Sequence, residues 1–327
     1  MPTKKRGCHT FAITLGCSYT EIQNILSDQA YIRRNHDKFF LNVSYEIVKF
    51  KEIGVEIWLH QSLARRSWIT LIVNPSSLLK GKYCLTALFS DASKIPEVKH
   101  RLREILDSCG IDRRLKEFKL SRVDLTEDRY YPDSTEKDEN LAVFKKSFLM
   151  PHYTVVPFEG FPKAKEANDH SWTISNKSRT AAFSVYDKSY ELAARHEIDI
   201  EDHILRLELR IERKRIRQLA PNGSWEYQLR ELVRQGSKQM DKFLHRLHQD
   251  IGAIVTDERA FQMIESSSFC TKTKEPMRKA VGLIKKCETL VEVRKKMKMS
   301  RKKFKVLLGK FRKIGINPIT RTDEERS

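Results

Sequence analysis

The segment Leu205-Arg-Leu-Glu-Leu-Arg-Ile-Glu212 constrains the fold more than any other stretch, because four aliphatic residues alternate with four charged ones. A repeat of two is that of a β-strand, whose successive side chains point to opposite faces. The strand must bury Leu205, Leu207, Leu209 and Ile211 and set Arg206, Glu208, Arg210 and Glu212 on the other side. Such strands belong to sheets with one face on a core and one polar face, the habit of antiparallel sheets. The same parity separates Val123 and Leu125 from Arg122 and Asp124 in Leu120-Ser-Arg-Val-Asp-Leu-Thr126. It also separates Phe183 and Val185 from Ser184 and Tyr186 in Ala181-Ala-Phe-Ser-Val-Tyr186.

Further extended runs, rich in β-branched and aromatic residues, occupy Thr10 to Leu15, Phe39 to Val48, Val55 to Leu59 and Trp68 to Val73. Helical spacing appears from Glu21 to Ala30 and in Ile95, Val98, Leu102, Ile105 and Leu106, ending near Gly110. Residues 128 to 140 are polar and read as a surface excursion without core residues. From Trp225 to about Ile251, and again from about Glu275, the pattern is amphipathic helix. The expected fold is α+β: an antiparallel sheet with packed helices over residues 1–215, followed by a basic helical domain over 216–327.

The chain carries 62 Lys and Arg against 43 Asp and Glu, a net +19 that favours a polyanionic partner. Twelve of those excess charges lie in residues 277–327. The six cysteines, at 8, 17, 84, 109, 270 and 287, show no metal-ligand spacing, which points to buried, reduced thiols in a cytoplasmic protein. No run of 18 apolar residues exists, so no membrane span is expected, and the N-terminal Lys4-Lys-Arg6 leads into a strand and not into an export signal.

Parity places Tyr186, Asp124 and Glu208 on one polar face. Carboxylates there could hold a divalent metal, a phenol could attack a phosphate in line, and Lys188 could offset developing charge. The same pattern also describes a solvated face laced with cross-strand ion pairs.

Ser178-Arg179, then Tyr186-x-Lys188-x-x-Glu191-Leu192, then Arg206-Leu-Glu208-x-Arg210-Ile211, resemble the gene II nickase family, the replication initiators of filamentous phages (inoviruses). Ser121-Arg-Val-Asp124 and Pro75-Ser-Ser-Leu-Leu-Lys-Gly81 agree in order. The resemblance implies rolling-circle DNA replication. The protein would nick one strand of a double-stranded origin, leave a 3′-OH primer, and later cleave and rejoin the displaced single strand. It places the tyrosine nucleophile on Tyr186 and implies a divalent metal, expected to be Mg²⁺, and host helicase and polymerase as partners, with possible oligomers on DNA and a bacterial cytoplasmic setting.

For the metal, Asp124 and Glu208 match shared acidic positions. Asp128 is a third candidate, completing an Asp-x-x-x-Asp pattern similar to Rep-trans plasmid initiators, whose upstream tyrosine is missing from Thr173-Ile-Ser175. None of the ten histidines forms a His-hydrophobic-His triplet. His245-x-x-His248 reads as a solvated pair and His203 as an auxiliary ligand at most. No family block marks Tyr190 as a second nucleophile.

Near the C-terminus, residues 290–316 read as a helix-turn-helix-like unit with Ser300 as N-cap and Gly315 as stop. Phe304, Leu307, Leu308, Phe311 and Ile314 would pack, leaving Arg301, Lys302, Lys303, Lys305, Lys310 and Arg312 for DNA. A generic basic hairpin that touches only phosphates fits the same residues. The alternative from another class is a non-enzymatic DNA-binding regulator, in which Tyr186 is structural.

Overall fold

The computed structural model describes residues 2–36, 42–63, 66–147, 149–161, 164–249 and 252–320. The chain runs through β1 (Thr3–Cys17), α1 (Tyr19–Asp28), β2 (Ile32–His36), β3 (Asn42–Ile47), β4 (Val55–Ser62) and β5 (Ser67–Val73). Two helices, α2 (Pro75–Lys80) and α3 (Ile95–Asp107), lead to β6 (Lys119–Tyr131) and α4 (Ser134–Lys145). Next come β7 (Tyr153–Val156), α5 (Ala164–His170), β8 (Ser171–Asn176), β9 (Ala181–Asp187), α6 (Lys188–His196) and β10 (His203–Glu212). The remainder is helical: α7 (Arg213–Leu219), α8 (Trp225–Leu247), α9 (Asp257–Ser266), α10 (Thr271–Ile284), α11 (Leu290–Lys296) and α12 (Arg301–Lys313).

The ten strands among the described residues join one antiparallel sheet in the order β2-β3-β4-β5-β1-β6-β10-β9-β8-β7. The protein is therefore α+β, as its alternation predicts. Strand β10 lies between β6 and β9, so the three alternating segments of the sequence are adjacent. The expected strand from Phe39 begins at Asn42 among the described residues, with residues 39–41 outside them. Helix α1 starts at a capping box in which Ser18 and Glu21 satisfy each other's backbone N–H groups.

The aliphatic parity of β10, β9 and β6 faces a core closed by α2, α3, α4, α7 and α8, with Phe11 stacked on Trp225 at 5.9 Å between centroids. A second core joins α9 to α12 around Phe304, Leu308 and Phe311. Helix α8 contributes Leu229, Leu232, Met240 and Leu247 to the sheet's core, so the break between the two cores falls after it.

Residues 128 to 140 depart from expectation. Strand β6 continues through them to Tyr131, Asp133 caps α4, and Asp128, Arg129, Lys137 and Leu141 are all buried. Their charges are neutralised inside the fold, Asp128 by Arg206, Arg129 by Glu127 and Lys137 by Asp187. Apolar periodicity has no means of registering paired buried charge. Four cysteines are buried as expected, but Cys84 is half-buried and Cys270 exposed; all six are free thiols. No helix among the described residues is long and apolar enough to cross a membrane.

Candidate active site

Register converts parity into neighbours. On β10, Arg206 lies opposite Tyr186 of β9 and Asp128 of β6, Glu208 opposite Ser184 and Thr126, and Arg210 opposite Ala182 and Asp124. Asp124 in turn lies opposite Thr10 of β1. Tyr186, Glu208 and Asp124 therefore share the face turned away from the main core, and Glu208 is a diagonal neighbour of Tyr186.

Strand β9 ends at Asp187, whose carboxylate accepts the Tyr190 amide and so caps α6. The cap places Lys188 in the first turn of that helix, buried and paired with Glu191. Burial, reinforced by the nearby Arg206, pushes the Lys188 ammonium down to about 8, against the pull of Glu191.

Arg206 and Asp128 are both fully buried and meet through two parallel hydrogen bonds of 2.7 and 2.8 Å. This fork engages both oxygens of Asp128, which is the counter-ion of Arg206. The remaining guanidinium nitrogen, Nη1, is buried with no hydrogen-bond partner.

Asp124 accepts from Thr10 and faces Arg122 at 2.9 Å and Arg210 at 3.3 Å. Arg210 also reaches Glu208 at 3.8 Å, so one guanidinium lies between the two carboxylates. Burial alone would raise the Glu208 pKa, but His9, Arg210 and Arg122 hold it down to about 2. His9 Nδ1 stands 3.6 Å from Glu208 and is itself pushed down by burial and Arg206.

Among the described residues no three His, Cys, Asp or Glu side chains converge as a metal cluster. The donor set still suits a divalent ion in kind: two carboxylates and an imidazole share this face, and the space between Asp124 and Glu208 already accommodates a cation. A metal would be held by Asp124 and Glu208, with His9 adjoining. His9 is missing from the sequence reading because a β-bulge at this point shifts the pairing from Cys8 with Leu125 to Thr10 with Asp124. His203 has the parity of Leu205 and points away from this face. His248 closes α8 in the left-handed conformation, so it does not share a helical face with His245.

Tyr186 is only 4% exposed. Its ring lies 4.5 Å from that of Phe158, in a cluster with Phe161, Ala167 and Tyr190, and Tyr190 stacks on His170 at 3.6 Å. Gly160 makes room for this cover, since a Cβ there would lie 2.2 Å from the Phe158 ring. Glu159 extends the cover to Arg210 at 3.6 Å. Burial, then Glu208, push the phenol well above its ordinary pKa. Phe158→Ala should uncover the phenol. Nitration of Tyr186 by tetranitromethane, followed by peptide mapping, should be several-fold faster than in the parent; an unchanged rate would mean that Phe158 does not shield it.

In the basic tail, Ser300 caps α12 as expected and Gly315 follows it at φ +73°. Arg301, Lys302, Lys303 and Lys305 are exposed. Lys310 and Arg312 are half-buried, and Lys310 lies over the Phe269 ring at 5.1 Å. No family model matches this chain, and no curated protein matches it.

Proposed function

We propose that this protein is a rolling-circle replication initiator that nicks origin DNA through Tyr186. The observation that carries the reading is the strand register: it puts a tyrosine, two carboxylates and the cation Arg206 on one sheet face, with Lys188 following in the first turn of α6. The phenolic oxygen would attack phosphorus and form a phosphotyrosyl bond. The bond to the 3′ oxygen would break, and that oxygen would leave with a proton as the primer end. A later 3′-OH would reverse the exchange and rejoin the strand. A bound divalent metal would polarise the phosphoryl oxygen. Arg206, through its unpartnered nitrogen, and Lys188 would offset the charge that develops there.

Incubation of the protein with Mg²⁺ and a supercoiled plasmid bearing its replicon's origin tests the reading, by conversion to open circles and a covalent protein–DNA adduct. Burial of Tyr186 favours the second reading, a DNA-binding regulator. Tight origin binding without any metal-dependent nicking would establish that one instead.

The cationic form of Lys188 is the one this mechanism uses, so nicking should decline as pH rises through about 8. Lys188→Met should abolish that limb and slow nicking by roughly 10²–10³-fold. A mutant with the parent's pH profile would remove Lys188 from the reaction. The same shift sets a stability trend. The unfolded chain holds the proton up to 10.5 and the folded one only to about 8, so this group's contribution grows more favourable between those values.

A further inference from the structure

The site face extends beyond Tyr186 across the sheet. On β1 the parity of Thr10 continues through Thr14 to Gly16, which pair with Thr70 and Trp68 of β5; those pair with Trp58 and His60 of β4. Trp58, His60 and Trp68 therefore stand on the same face as Asp124 and Tyr186. Their rings form a row, His60 stacked on Trp68 at 4.7 Å and Trp58 on His60 at 6.3 Å, with interplanar angles of 19° and 10°.

Trp68 ends the row and is 37% exposed. Its neighbour across the ladder is Gly16, which has no side chain to fill the adjacent space. A Cβ at that position would lie 2.7 Å from the Arg66 guanidinium, which crosses over the glycine and donates to its carbonyl. The result is an open cavity of about 740 Å³ bounded by Trp68, Thr14 and Gly16, with Arg66, Lys116, Lys119 and Arg213 around it and Glu117 as its one acid. Burial, then the like charge of Arg217, lower the Arg213 pKa, so cations crowd one another at this rim.

We propose that this cavity binds nucleotides of single-stranded DNA, one base stacking on Trp68 to extend the aromatic row while Arg66, Lys119 and Arg213 take phosphates. A flat apolar wall beside clustered cations matches the two halves of a nucleotide, and stacking accepts any base. The cavity's role as a substrate track rests on the nicking reading. Tyr186 lies four strands away, roughly 19 Å across the sheet, and about ten residues, roughly 33 Å, further along it, so a single strand must run diagonally over the face to occupy both.

The test uses the full-length Tyr186→Phe protein, so that nothing is cleaved, and twelve-residue oligothymidylate as probe. Of the four tryptophans, Trp172 and Trp225 are buried, so quenching of intrinsic fluorescence reports on Trp58 and Trp68. The expected result is quenching on binding, with affinity on the order of tenfold weaker after Trp68→Leu. Lys119→Ala with Arg213→Ala should weaken binding and flatten its salt dependence. Thymidine monophosphate and inorganic phosphate serve as comparison ligands.

Unquenched binding, or equal affinity in the Trp68→Leu protein, would overturn the site, and thymidine monophosphate binding as tightly as the oligonucleotide would overturn its assignment to a strand. Thermal melts verify that each variant is folded. Quenching that depends on Trp68, in a protein whose wild type never nicks, would keep this site and refute the nicking mechanism. Nicking in a protein that fails the Trp68 test would do the reverse.

Discussion

Tyr186→Phe is expected to leave origin binding intact and to slow nicking of supercoiled DNA by about 10⁴-fold or more, the scale on which loss of a covalent nucleophile falls. The substitution suits the question because phenylalanine keeps the ring that packs against Phe158, Phe161 and Ala167. Only the hydroxyl is lost. The fold should therefore survive, and a thermal melt within a degree or two of the parent would establish that the effect is chemical. The measurement is the rate of open-circle formation with Mg²⁺, together with recovery of a DNA–peptide adduct from the parent alone. If the phenylalanine protein nicks as fast as the parent, Tyr186 is not the nucleophile and its place on the charged face is structural.

The second large effect is on stability. Asp128→Ala should destabilise the fold by about 3–5 kcal/mol, because it strands a fully buried guanidinium without its hydrogen-bonded counter-ion. The sequence alone offers Asp128 as a metal ligand, and a ligand would behave differently: its removal would change metal dependence and leave the unfolding midpoint nearly unchanged. The deciding experiment is a double-mutant cycle in urea. Asp128→Ala and Arg206→Met should each be costly, and the double variant should recover much of the loss, since replacing a whole buried pair by apolar groups is far less damaging than removing one partner. Additive losses would mean that the two side chains do not depend on each other.

Much of the site was legible because parity is a property of the backbone. Once Leu205 to Glu212 is a strand, Arg206, Glu208 and Arg210 must share a face, and the same holds for Arg122 with Asp124 and for Ser184 with Tyr186. Local chemistry was equally readable: Ser300 at the start of α12 and Gly315 beyond its end follow from capping and the left-handed conformation alone.

What alternation leaves open is which strands adjoin, and that choice belongs to the tertiary structure. Only the order β1-β6-β10-β9 decides that Arg206 spans Tyr186 and Asp128, and only the bulge at His9 brings an imidazole to Glu208. Partners such as Asp128 and Arg206 are 78 residues apart in the chain, and nothing in either segment by itself states that the other will neutralise it. The cover of Phe158 over Tyr186 is of the same kind, a contact between a loop and a strand whose spacing carries no period. The sequence by itself determined the two-faced strands, their polar residues and the caps of the helices, because these depend on near neighbours along the chain. Whether Tyr186 meets solvent or Phe158, and whether a carboxylate is left open or closed by a guanidinium, was decided by long-range packing, where burial makes each unpaired charge costly enough to select its partner.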